Sequence, residues 1–178
     1  MKNFTQKFIG ILALVFTMSF TVNSQEIGDV YQGGYIFQIN EDGTGLVAAM
    51  EDLGPFEWGC NGTEIDGSDG TSIGTGLQNT LDIVAGCSET PTAASEALAY
   101  ESEGYSDWYF PSRDELYEMY KTIGQGVPQG NIGGFENGWY WSSSEDSSND
   151  AWTVSFTDGG SNRYPKHTAG RVRVIRAF

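Results

Sequence analysis

An α+β fold with a mixed, mostly antiparallel sheet, two helices and long irregular loops is the architecture this sequence predicts, and three observations predict it. Runs that alternate apolar and polar residues occur toward both ends of the chain. Only two short segments carry helical periodicity. Most of the 24 glycines lie between those two terminal regions, in a chain that is 13% aromatic. That composition belongs to loop-rich folds with β structure rather than to helix bundles.

The chain begins with Lys2 and Lys7 around the start of an apolar run, Phe8 to Val22, followed by Asn23-Ser24-Gln25. A charged start, an apolar middle and small residues at the exit read as a secretory signal peptide over 1–24. The run is shorter than the ~20 apolar residues of a helical membrane span. Cleavage after Ser24 leaves 154 residues, 25–178, a length that fits a single domain. The expected product is secreted or held at the cell surface, with no membrane insertion once the leader is removed.

From Val30 the chain predicts a β-hairpin. Tyr35, Phe37 and Ile39 share one face and Ile36, Gln38 and Asn40 the other; Glu41 to Gly45 supplies turn residues, and Leu46 to Met50 is the returning strand. Asp52 to Asn79, dense in Gly, Asp, Ser and Thr, reads as a long irregular loop. Pro91 to Tyr100 carries Ala94, Ala97 and Leu98 at helical spacing. A second helix starts at Ser112, where Ser112 and Glu115 form a capping box and Leu116, Met119 and Tyr120 repeat at i, i+3, i+4. Asp114 and Glu115 are therefore helix-start acids, favoured by the helix dipole, rather than a catalytic carboxylate pair. Gly124 to Gly138 is again loop. Three strands follow: Trp139 to Glu145, Ala151 to Asp158 with Trp152, Val154 and Phe156 on its core face, and Arg171 to Phe178. In the last of these Ile175 breaks the alternation of Val172 and Val174, which predicts a bulge or a strand buried on both faces.

Charge is distributed unevenly. Residues 25–178 hold seven basic residues against 24 acidic ones, net −17; Gln25 to Gly160 is −22 and Ser161 to Phe178 is +5. An acidic body repels nucleic acid and anionic membrane, so neither is an expected partner. The basic segment reads either as a terminal strand docking on the acidic body or as an anion-binding patch.

Cys60 and Cys87 are the only cysteines. In an exported chain they are expected to form a disulfide, worth roughly 3–4 kcal/mol in the chain-entropy account. No cofactor is required by any motif. Asp66 and Asp69 are hard oxygen ligands that suit calcium, but their spacing departs from an EF-hand loop, so solvated turn residues is the simpler reading. Ser142, Ser143 and Ser144 with His167 could make a nucleophile and its base; no G-x-S-x-G elbow accompanies them, and hydroxyls bonded within a strand is the simpler account.

In order, VYQGGYIF, GLVAAM, WGC, IGTG-x-x-NT, GYSDWYFPSRDEL, WYWSSSE, AW-x-V-x-F and VRVIRAF resemble the family named for the C-terminal domain of the Legionella collagen-like adhesin, over about Ile27 to Phe178. That family in turn resembles the C-type lectin-like fold. The resemblance implies paired N- and C-terminal strands, two helices flanking the sheet, Trp108 and Trp141 in the core, and the DWYFPSRDEL segment linking the helices. It also implies an adhesin-type role. The lectin tripeptides Glu-Pro-Asn and Gln-Pro-Asp are absent, and a chain at −17 opposes the polyanions that the namesake's relatives bind.

The function expected from these readings is a non-catalytic binding module for an extracellular glycan or protein ligand. Its contact surface is read at Glu145, Asp146, Asn149, Asp150, Asn162, Arg163, Tyr164, Lys166 and His167, polar and aromatic groups near the ends of the final strands. The alternatives are a structural subunit of an extracellular assembly, with oligomers formed by identical copies, and an enzyme like the formylglycine-generating ones, for which Cys60 and Cys87 would have to be catalytic.

Overall fold

The computed structural model describes residues 25–178; the leader read over 1–24 lies outside the described residues. In chain order the elements are β1 (Val30–Tyr31), β2 (Gly34–Ile39), β3 (Gly45–Ala49), β4 (Gly54–Phe56), α1 (Gly76–Gly86), α2 (Ala93–Ala99), α3 (Arg113–Thr122), β5 (Trp139–Glu145), β6 (Asp150–Ser155), β7 (Ser161–Pro165), β8 (Gly170–Val172) and β9 (Ile175–Ala177). They form two sheets, ordered β1-β2-β3-β9 and β4-β8-β5-β6-β7. Strand pairing is antiparallel except for β5 with β8. The class is α+β as expected, with two sheets in place of one and three helices in place of two.

The expected hairpin is β2–β3, with a bulge between Ile36 and Gln38. Strict alternation does not hold in it, because the sheet has a core on each side: Ile36 and Phe37 are both fully buried, as is all of β3. On one side Ile36, Val47 and Ala49 meet Trp58, Trp108 and Trp141. On the other, Phe37, Leu46 and Ala48 meet Leu116, Met119, Tyr140 and Phe156.

The break at Ile175 has a simple physical cause. Arg171 to Phe178 is two strands that belong to different sheets, and the chain crosses between them at Arg173-Val174. Val172 and Val174 feed the tryptophan-rich core and Ile175 the other. β9 pairs with β3, so a C-terminal strand completes the N-terminal sheet, and Ile175 also exchanges two backbone hydrogen bonds with Tyr109.

Three elements depart from the sequence reading. The stretch from Asp52 to Asn79, read as loop throughout, contains β4 and opens α1, a helix without an apolar helical period on its inward face. The cause is an inverted helix: Gly76, Asn79, Thr80 and Ile83 face inward, while Leu77, Leu81 and Val84 face solvent. β7, which the sequence reading did not single out, is an edge strand with mostly exposed side chains and therefore no apolar alternation.

Both α2 and α3 start with capping boxes, Thr92 with Ser95 and Ser112 with Glu115. Glu115 does more than close its own box. Its buried carboxylate accepts from Ser112 N at 2.7 Å and from Gly74 N at 2.8 Å, just ahead of α1, whose N-cap Thr75 makes no side-chain cap. A Cβ at Gly76 would overlap Glu115 Oε2, so this junction requires glycine. Burial raises the Glu115 pKa above the ordinary glutamate range, and the amide donors only partly oppose it. A carboxyl with a raised folded-state pKa contributes stability that is complete below its unfolded pKa and declines as pH rises through the folded value. Glu115→Gln, which turns an NH2 group toward amide donors, is expected to cost about 1–3 kcal/mol. Denaturant melts at a series of pH values should show that deficit largest in acid and shrinking as pH rises.

Candidate functional site

Much of what the sequence offered as chemistry is structural. Cys60 and Cys87 are joined, with Cα atoms 5.7 Å apart, across a separation of 27 residues. Glu89 accepts the Cys60 N–H at 2.7 Å. These three side chains are the only cluster of potential metal ligands among the described residues, and the disulfide occupies both sulfurs. Asp66 and Asp69 are exposed and gather no third ligand among the described residues. The serines of β5 are fully buried and bonded. Ser142 Oγ donates to Trp152 O, Ser143 Oγ accepts from Asn79 Nδ2, and Ser144 Oγ donates to Gly70 O while accepting Arg113 N–H. His167 is exposed and separate from them.

The nine residues read as a contact surface divide three ways. Glu145 and Lys166 are a correction: they form an ion pair in the interior, with side chains 4% and 0% exposed. Lys166 Nζ also donates to Thr63 O at 2.8 Å and lies 4.5 Å from the centre of the Trp58 ring; Glu145 accepts from Ile65 N and Ser68 Oγ. The pair therefore holds the 60–68 loop against β5 and the end of β7. It has no surface to offer a ligand.

The others lie on and around the β6–β7 hairpin, but on opposite faces of the sheet. Trp152 and Arg163 are cross-strand partners, and the Trp152 indole is flanked by the Arg163 and Arg113 guanidiniums at 4.4 and 5.1 Å. Each arginine is already matched with an acid at 2.8 Å, Arg163 with Asp146 and Arg113 with Asp114. Asn149, Asp150 and Asn162 belong to the same hairpin, with Asp146 closing onto the Asp150 carbonyl. Both guanidiniums on the Trp152 face are thus matched, while Asn162, two residues from Tyr164, points to the opposite face.

Strand alternation sends Tyr164 to the other face. There its ring stacks on Trp139 at 4.6 Å and 10°, and Trp139 meets Trp141 edge-on at 5.2 Å. Trp139 and Tyr164 are both half-buried. Gly170 makes this possible, since a Cβ there would overlap the Trp139 ring. Beside the pair is a cavity of about 330 Å³ lined by Asp52, Gly54, Pro55, Trp139, Gly170 and Arg171. The Asp52 carboxylate accepts from Arg173 Nε at 2.6 Å and from the Tyr140 hydroxyl at 2.7 Å. Burial, with Asp52 beside it, raises the Tyr140 pKa and keeps that hydroxyl a donor. Trp139, Asp52 and Arg171 were not among the sequence candidates. Trp139 could have been found as the aromatic at the mouth of WYWSSSE; Arg171 could not, because which cations find partners is decided only by the fold.

Compared with known families, residues 56–176 match the Lcl C-terminal domain. No curated protein matches the chain. The matched span runs from Phe56 in β4 to Arg176 in β9, and so contains the disulfide, the buried ion pair, the serine ladder and the Trp139 cavity.

Removing one member of a buried ion pair strands the other, typically at a cost of about 3–5 kcal/mol. Lys166→Met should lose stability of that order in denaturant melts. Adding Glu145→Gln, which keeps an acceptor for Ile65 N–H, should recover more than half of the loss.

Proposed function

The chain belongs to the Lcl C-terminal domain family, a family of extracellular domains, and from that membership we propose that it is an extracellular, non-catalytic recognition module. It binds a glycan or protein ligand through the Trp139–Tyr164 face of the second sheet. The observation that carries this reading is the stacked, half-exposed aromatic pair beside a cavity, held by buried neighbours on three strands. Rigid aromatics set on strands offer large contact area at little cost in side-chain entropy, which is how recognition surfaces gain affinity. This reading assigns no catalytic residue and no metal. Among the described residues no helix is long and apolar enough to cross a membrane.

A glycan and protein-ligand array tests this directly. A specific hit should weaken roughly tenfold or more with Tyr164→Ala, persist with Arg163→Ala on the opposite face, and be the same with calcium or with chelator. Loss with Arg163→Ala and not with Tyr164→Ala would move the binding face and defeat the assignment.

A second reading, a subunit of an extracellular assembly, is favoured by α1, whose Leu77, Leu81 and Val84 are 45%, 45% and 40% exposed along one stripe. Light scattering separates the two readings. A monodisperse monomer is the expected outcome; a mass that grows with concentration and is reset by Leu81→Ser would favour assembly.

A further inference from the structure

Of the five cations between Ser161 and Phe178, four end on carboxylates: Arg163 on Asp146, Lys166 on Glu145, Arg173 on Asp52 and Arg176 on Asp107. Arg171 is the exception, and among the described residues it is the one arginine whose side chain has neither an ion pair nor a hydrogen bond. It is also the arginine that lines the Trp139 cavity. An unmatched guanidinium in a chain at −17 is a selective feature, because acids are plentiful and every other arginine has found one.

The cavity's other walls narrow the ligand. About 330 Å³ sits at the lower end of small-molecule pockets, room for one ring rather than an extended chain. The Trp139 indole, packed over Gly170, and Pro55 form an apolar side, and Gly54 adds a wall without a side chain. Asp52 faces the same space but is held by Arg173 and Tyr140, so it does not neutralise Arg171. With Asp52 matched, Arg171 is the one unmatched charge facing the space, and the net negative charge of the surrounding chain disfavours a second anionic group on the ligand. A guanidinium presents a planar fork that matches a carboxylate in two parallel hydrogen bonds. Together these features fit a ring-bearing ligand with a single carboxylate.

We propose that the cavity between β4, β8 and β5 binds a monoanionic sugar acid, with its carboxylate on the Arg171 guanidinium and the C–H surface of its pyranose ring against Trp139. This rests on the recognition reading above and names the ligand class of that face. Polyanionic glycans are excluded by the same electrostatics that admit a single charge.

The test is a titration of the folded protein with D-glucuronate and D-galacturonate, followed by tryptophan fluorescence and calorimetry. D-glucose, D-galactose, the methyl ester of glucuronate and acetate serve as controls at constant ionic strength. The uronates should bind saturably, and each control roughly tenfold or more weaker, since each lacks either the charge or the ring. Arg171→Gln should reduce uronate binding by a similar factor with an unchanged melting temperature. Arg163→Gln, which removes a guanidinium already matched on the opposite face, should leave it intact. Absence of saturable uronate binding, equal binding of neutral sugar, or full binding by Arg171→Gln each overturns the proposal. The array result stays separable: a neutral glycan captured through Tyr164 but indifferent to Arg171→Gln would keep the recognition reading and remove only the sugar acid.

Discussion

The fold depends on bringing a cationic segment onto an acidic body. Ser161 to Phe178 carries no acid, and the rest of the described chain is strongly negative, so the two parts attract before any contact forms. In the folded state that attraction becomes specific. Arg173 is 1% exposed and donates to Asp52, to the Ala49 carbonyl and to the Gly133 carbonyl while its guanidinium lies over Phe135. Arg176 takes Asp107 with two nitrogens and Gln32 with a third, beside Tyr105 and Trp108. Between these two arginines the chain leaves one sheet and enters the other. Burying a guanidinium is tolerable only with this degree of hydrogen bonding, and so the crossing point is fixed by polar contacts as much as by Val172, Val174 and Ile175.

The same economy governs the segments that mark the family. IGTG-x-x-NT, FPSRDEL and WYWSSSE look like chemistry in one dimension and are a hydrogen-bonded junction in three. Asn79 reaches Gly70 O and Ser143, Thr80 accepts the Phe110 N–H, Ser112 donates to Ser72 O, Asp114 N–H meets Thr71 O, and Ser143 N–H meets Pro111 O. Glu115 closes the set by serving the starts of two helices. A buried carboxylate surrounded by amide donors joins the starts of α1 and α3.

What could be read from sequence follows from how locally each feature is determined. The β2–β3 hairpin, α2, α3, β5, β6 and the disulfide are set by turn residues, caps, periodicity or cysteine pairing, and each was legible; Trp108 and Trp141 in the core were expected from the family resemblance alone. The α1 helix was hidden because its inward face is Gly76, Asn79 and Thr80, small and polar, so burial there carries no apolar signal. β7 was hidden because an edge strand with exposed side chains has nothing to alternate. Around the β6–β7 hairpin, polarity alone could not separate the buried Glu145–Lys166 pair from the surface acids Asp146 and Asp150. Twenty-one residues apart, Glu145 and Lys166 become partners only once β5 and the end of β7 flank one loop. Trp139 and Arg171 come together through the one parallel pairing in the fold, β5 with β8, a contact no local pattern announces.

The place of β9 in the first sheet has a kinetic consequence. β2 and β3 emerge early in synthesis, yet the neighbour that covers the free edge of β3 is supplied by residues 175–177. Closing a contact across so much chain is entropically slow, and contacts of high sequence separation set the pace of folding. Until those residues are released, the first sheet consists of β2 and β3 with only the two-residue β1 beside them, and the edge of β3 is uncovered. The last strand to be made is therefore the one that closes the first sheet, so the two ends of the described chain become ordered together.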